Sequence, residues 1–160
     1  MPLNPVHKHC YEYPRPSVTV DLVVFARNPD WKKHDPSLSV LLIRRGKDPF
    51  KDCWALPGGF LDENETTEDA AIRELKEETG HELDPQTYVK LVGVYDTPNR
   101  DPRGRVISVA YTAELDRIPE VKGSDDAVEA RWFHLKELTD DFKLAFDHHD
   151  IIVDAIWEKD

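Results

Sequence analysis

Residues 59–80 read GFLDENETTEDAAIRELKEETG and carry carboxylates at spacings that can do chemistry. On a helix, Glu74, Glu77 and Glu78 stand in the i, i+3, i+4 relation, so their side chains crowd one face. Arg73 stands beside them and Glu65 precedes them. Most Glu-rich helices are solvated surface and nothing more. Two features point further here. Like charges at contact spacing repel and destabilise an isolated helix. Pro57-Gly58-Gly59, just upstream, permits close backbone approach, so a main-chain carbonyl can join the carboxylates. Hard oxygen donors that leave positions open for water and phosphate are what Mg2+ takes in phosphoryl chemistry. A bound divalent ion would also remove the repulsion that the spacing creates.

The elements that must hold these groups follow from local patterns. Residues 66–79 predict a helix, with Thr66 as N-cap, Asp69 at the third helical position and Gly80 as a left-handed stop. Its Ala71, Ile72 and Leu75 project to another arc and can pack on a sheet. Strands are predicted at 18–26 (VTVDLVVFA), 38–45, 54–56, 88–95, 106–115 and 130–135, from β-branched and apolar runs. Residues 143–158 predict an amphipathic helix, with Leu144, Ile151, Ile152, Ala155 and Ile156 on its apolar face. Residues 1–16, rich in Pro, His and Tyr, form an irregular lead-in. No repeat or linker divides the chain, so residues 1–160 are expected to form one layered α/β domain.

Composition narrows the partners. The net charge of −11, from 32 acidic against 21 basic residues, disfavours binding to nucleic acid or to an anionic membrane. A small anionic substrate stays possible, because an arginine cluster or a metal reverses the sign within a cleft. Cys10 and Cys53 make no spaced framework, so a reducing cytoplasm is expected. No basic start with an apolar run marks a signal peptide, and no apolar stretch reaches the roughly 18 residues of a membrane span. His7-Lys8-His9-Cys10 has soft ligands but no second cluster of matching spacing, which argues against a transition-metal site.

Gly59, five residues, Glu65, seven residues, Arg73-Glu74-Leu75, one residue, Glu77-Glu78, one residue and Gly80 together resemble the Nudix box. One position departs: His81 stands where the family usually has an aliphatic residue, which touches packing but no presumed ligand. The resemblance implies a Nudix fold, an α/β/α sandwich with a mixed β-sheet, and Mg2+-dependent hydrolysis of a nucleoside diphosphate linked to another group, with Mn2+ able to substitute. It implies metal ligands at Glu74, Glu77, Glu78 and the Gly58 carbonyl. Glu65 and Arg73 resemble the family's internal ion pair, which shapes the loop. The general base often comes from a loop before a late strand. Here that loop offers Asp125 and Asp126, with Glu129 just beyond and Glu77 of the box as a further candidate. Asp126 is narrowly favoured as the nearer to the strand.

The stretches YPRPSVTVDLVVF, LLIRRGKDPFKDCWALPGGF, VYDTPNRDPRGRVISVAY and LAFDHHDII resemble one subset, the ADP-ribose pyrophosphatases related to the Nudix domains of bacterial NAD metabolism. This resemblance implies conversion of ADP-ribose to AMP and ribose 5-phosphate, commonly by a homodimer. Arg44, Arg45, Arg103 and Arg105 can clamp phosphates, since guanidinium matches phosphate geometry. Phe50, Trp54 or Tyr95 can stack on adenine, although Trp54 and Tyr95 fit a core better than a base platform. His148-His149 reads as partly exposed helix packing. Within the enzyme class, nucleotide sugars, dinucleotides such as NADH and oxidised nucleoside triphosphates remain open as substrates. From another class, relatives of these domains act as ligand sensors in transcription regulators. An intact box, the acidic charge and a chain ending at Asp160 straight after the helix weigh against that reading.

Overall fold

Alternation along one strand organises the molecule. In β1 (Ser17–Arg27), Val20, Leu22 and Val24 face one apolar cluster while Val23 and Phe25 face another, and all are fully buried. A strand apolar on both faces belongs inside a sheet covered on both sides. The computed structural model describes residues 11–27 and 38–157, and in it β1 is the central strand. It pairs in parallel with β6 (Val106–Leu115) and antiparallel with β2 (Leu38–Arg45). β2 in turn carries β3 (Trp54–Ala55) and β7 (Ala127–His134), while β5 (Val89–Tyr95) lies along β6. β4 (Gly58–Phe60) pairs with β1.

Helix α1 (Thr67–Thr79) covers one face through Ala70, Ala71 and Leu75. Helix α2 (His148–Trp157) covers the other through Ile151, Ile152 and Ala155. The expected α/β/α sandwich with a mixed sheet is therefore the observed architecture. Truncating the fully buried Leu75 to Ala would cost about 2–5 kcal/mol. Thr66 caps α1, its side chain accepting from the Asp69 N–H, and Gly80 ends it at φ 71°, a left-handed value that glycine adopts without strain.

Two element starts and one added strand set the structure apart from the sequence reading. β7 begins at Ala127 rather than 130, because the register with β2 continues through a bulge to Arg45↔Ala127. α2 begins at His148 rather than 143. The preceding residues bind β3 instead, with the Trp54 N–H donating to the Lys143 carbonyl and the Ala145 N–H to that of Trp54. β4 was unanticipated: its glycines carry no strand signal, but a Cβ on Gly58 would sit 2.1 Å from the Val20 carbonyl oxygen, so glycine alone permits this pairing. Residues 11–16 carry no helix or strand. The candidate cluster at residues 7–10, most of the 27–37 loop and Glu158 lie outside the described residues. Among the described residues no helix is long and apolar enough to cross a membrane.

Candidate active site

β4 and α1 bring the box together. A Cβ on Gly59 would fall 2.3 Å from Glu74 Oε1, so the loop meets the helix carboxylate because residue 59 has no side chain. The Gly58 N–H donates to Glu78 Oε2 at 3.0 Å. Arg73 is the hub. It meets both oxygens of Glu65, through Nη2 at 2.7 Å and Nε at 2.9 Å, and its Nη1 reaches Glu74 at 2.9 Å and Glu77 at 3.1 Å. It also donates to the Phe60 carbonyl, which ties the loop after β4 to the helix. The Arg73 hydrogen bonds, with help from the Asp62 N–H, pull the Glu65 carboxyl down to about 2.

The electrostatics of the remaining carboxylates run the other way. Burial pushes Glu78 well above its ordinary range; Gly58 and Arg45 oppose this, and the charges of Glu74 and Asp21 add to it. Burial also raises Glu74, against the pull of Arg73, with Glu77 and Asp125 contributing. Buried, mutually repelling carboxylates are a donor set suited to a divalent cation. Among the described residues no three such side chains meet at one point: Arg73 engages Glu74 and Glu77, and Gly58 engages Glu78.

Glu78, Gly58 and Gly59 line a cleft together with residues from distant segments. Arg45 at the end of β2, Arg103 of the 96–105 loop and Phe146 before α2 line it, with Arg100, Asp21 and His148 at its base. His148 is 4% exposed and doubly held: Nδ1 accepts from the Leu56 N–H at 3.0 Å, and Nε2 lies 3.2 Å from Asp21 Oδ1. The acceptor role of Nδ1 assigns the ring proton to Nε2, which donates to Asp21. Ser108 donates to the other Asp21 oxygen. Burial would raise the Asp21 carboxyl, but His148, Ser108 and Arg100 together hold it low. This chain of bonds pins β1, β6, α2 and the Leu56 backbone beneath Gly58. Arg100 is paired with Asp147 at 2.8 Å, and Arg103 with Asp101 at 2.7 Å.

The four candidate phosphate arginines divide into two pairs. Arg45 and Arg103 line the cleft. Arg44 does not: it pairs with Glu129 at 3.4 Å and Asp52 at 3.8 Å, because neighbouring side chains of a strand point to opposite faces. Arg105 instead donates to the Asp96 carbonyl. Glu129 sits within β7 opposite Arg44, pairs with it, and does not line the cleft. Asp126 lines the cleft with its carboxylate 2.6 Å from Lys47 Nζ, while Asp125 faces a shallower recess beside Glu77 and Arg73. Their loop is fixed by Lys122 and Ser124 N–H groups donating to the carbonyls of Thr79 and Glu78. Trp54 packs edge-on against Phe133, and Tyr95 donates to Asp154 at 2.7 Å, so both belong to the α2-side core and neither is a base platform. Phe50 rests 4.7 Å from Phe146. His149 is exposed, beside Asp150.

Sequence reasoning missed Asp21, Ser108, Arg100, Asp101, Phe146 and the buried role of His148. One signal was present: Asp21 interrupts the apolar run VTVDLVVF, and a carboxylate there must be paired.

A box of helix and glycine loop on a mixed sheet between two helices defines a Nudix domain, and the model of that family matches residues 16–155. The chain belongs to the Nudix family, whose hydrolases generally require a divalent metal ion. It is 48% identical over 143 residues to the ADP-ribose pyrophosphatase of Methanocaldococcus jannaschii, covering 89% of this chain and 74% of that protein. It is 33% identical to an ADPR responsive transcriptional repressor of Acinetobacter baylyi, covering 90% of this chain but only 54% of the repressor. The Nudix domain of Shewanella oneidensis NrtR, solved in complex with ADP-ribose, superposes with a TM-score of 0.79 at 31% identity, covering 92% of this chain and 91% of that one.

Proposed function

We propose that this chain hydrolyses ADP-ribose to AMP and ribose 5-phosphate, with Mg2+ as the metal and Mn2+ able to replace it. The observation that carries the reading is one cleft lined by Glu78, Gly58 and Gly59 together with Arg45 and Arg103. The similarity to an archaeal ADP-ribose pyrophosphatase and to an ADP-ribose-bound domain supports the choice of substrate. Glu74, Glu77, Glu78 and the Gly58 carbonyl are the residues to hold the metal. Once bound, it would stabilise charge on the diphosphate and acidify a water. Arg45 and Arg103 hold phosphate oxygens in orientation. Asp126, which shares the cleft with Glu78, takes the proton as water attacks one phosphorus and the P–O bond of the anhydride breaks. Asp125 and Glu77 are the alternative bases. Cytoplasmic location and a homodimer complete the reading; a monomeric mass in solution at micromolar concentration would remove the dimer.

The test is a substrate panel of ADP-ribose, nucleotide sugars, NADH and oxidised triphosphates, assayed with Mg2+. ADP-ribose should give the highest kcat/KM and yield AMP. Chelator should abolish turnover, and Mg2+ or Mn2+ should restore it. A better substrate elsewhere in the panel removes ADP-ribose, and full activity in excess chelator removes the mechanism. The likeness to a repressor favours one second reading, a sensor. Tight ADP-ribose binding without turnover in Mg2+ would support it instead.

A further inference from the structure

Segment 145–148, Ala-Phe-Asp-His, is tied down on both sides of one residue. The Ala145 N–H donates to the Trp54 carbonyl at 2.8 Å. Asp147 holds Arg100 at 2.8 Å, and His148 holds the Leu56 N–H at 3.0 Å. Between these anchors Phe146 has φ 50°, a left-handed value that a bulky side chain adopts only when its surroundings impose it. The result is a ring delivered into the cleft. Two guanidinium groups collect on it. That of Arg45 lies 5.0 Å from the ring centroid and that of Arg103 lies 5.7 Å away. Arg103 also meets the Phe60 ring at 4.9 Å, and Phe50 backs Phe146 at 4.7 Å.

The chemistry of this arrangement is selective. Arg45 has no carboxylate ion-pair partner among the described residues, and its Nε is spent on the Pro49 carbonyl at 2.8 Å. A carboxylate at position 146 would gather the same two cations but would compete with an incoming phosphate for their N–H donors. An aromatic face attracts the cation while accepting none of the in-plane hydrogen bonds. It therefore holds two like charges together without taking donors from either; Asp101 occupies Nε and Nη2 of Arg103, which leaves Nη1 of Arg103 and both Nη groups of Arg45 for a phosphate.

We propose that Phe146 is a positioning residue: its ring assembles Arg45 and Arg103 into a clamp for the two phosphates of a diphosphate ligand. This deepens the proposed function and rests on it only in requiring that the cleft take a diphosphate. The ring acts through the arginines, so its removal weakens binding of the diphosphate itself, whatever is attached to it.

The experiment titrates ADP and inorganic pyrophosphate by calorimetry into the full chain and its Phe146→Leu and Phe146→Tyr variants, with ADP-ribose kinetics alongside. Phe146→Leu should weaken both ligands by about the same factor, near tenfold, and raise KM for ADP-ribose equally, with the loss in KM rather than kcat. Phe146→Tyr keeps the aromatic face and should stay within about threefold of the wild type. If the Leu variant does not fold, Phe146→Met carries the same expectation. Wild-type-like binding in the Leu variant would overturn the clamp. So would weakening of ADP but not pyrophosphate, which would mean the ring contacts the nucleoside. Absence of any diphosphate binding to the wild type also overturns it. If the wild type binds ADP, loses it on Phe146→Leu, and yet does not hydrolyse ADP-ribose, the substrate assignment fails and the clamp stands.

Discussion

The two sides of the cleft are built in opposite ways. The carboxylate side comes from one contiguous stretch, β4 through α1, organised around a single guanidinium that touches Glu65, Glu74 and Glu77. The guanidinium side comes from the end of β2, the 96–105 loop and the segment before α2, which meet only when the sheet is complete. On the first side, like charges are forced together and two carboxyls are pushed up by burial. On the second, most charges are already matched, Arg100 by Asp147 and Arg103 by Asp101, and Arg45 is the exception. The contrast suggests a division of labour, with reactivity concentrated on the strained side and recognition on the satisfied one.

The largest break in that comparison is Glu78→Gln. Loss of a charged oxygen at the buried end of the carboxylate face should cut kcat by more than about a hundredfold. Stability should move oppositely. Burial raises the Glu78 carboxyl, so the folded state favours its protonated form. That contribution is fully present below the ordinary value of 4.5 and is lost as pH rises through the higher folded value. In chelator, thermal unfolding of the wild type should therefore fall relative to the Gln variant as pH rises from 5 to 8. Parallel curves for the two proteins would break the account of the carboxylate side.

Next in size is the base, where the two sides meet. Asp126→Asn should lower kcat by about a hundredfold with little change in KM, and Asp125→Asn should do less. Near-normal kcat in both would move the role to Glu77. Smaller again, and confined to the guanidinium side, is the split between neighbours in β2. Arg45→Ala should raise KM for ADP-ribose by about tenfold or more, since the phosphate loses a charge-assisted donor, while Arg44→Ala stays within about twofold. Equal effects would deny that only Arg45 of the two faces the phosphates.

The same contrast explains what the sequence revealed. The capping of α1 by Thr66 and Gly80, the i, i+3, i+4 face and the close approach at Gly59 are local, so they were legible. So was the two-sided burial of β1. The guanidinium side was legible only as residue types. Alternation puts Arg44 and Arg45 on opposite faces, but which of them meets the cleft is settled only when β7 pairs with β2. β7 itself starts at Ala127 because of that pairing, which makes Glu129, expected just beyond the loop, a strand partner of Arg44. His148 reads as partly exposed helix packing because the start of α2 depends on bonds between residues 143–145 and β3.

The smallest effect tests whether Arg73 holds its side together by charge. Both Glu65 oxygens accept from Arg73, and this, with the Asp62 N–H, draws the carboxyl from 4.5 down to about 2. A depressed carboxyl contributes stability that is present above its unfolded value and is lost as pH falls through the folded one. The contribution should therefore persist from neutral pH to about 4.5 and disappear between 4.5 and about 2. Glu65→Gln keeps the shape and removes the charge. Its melting temperature should lie below that of the wild type at pH 6, and the gap should close as pH falls through that window. Arg73 retains Glu74 and Glu77 in the variant, so the loop after β4 loosens without coming free, and activity should fall less than for Glu78→Gln. A gap that stays constant with pH would mean that the pair works through shape alone. Arg73 would then be a strut for the loop, and the charge balance of the carboxylate side would have to come from elsewhere.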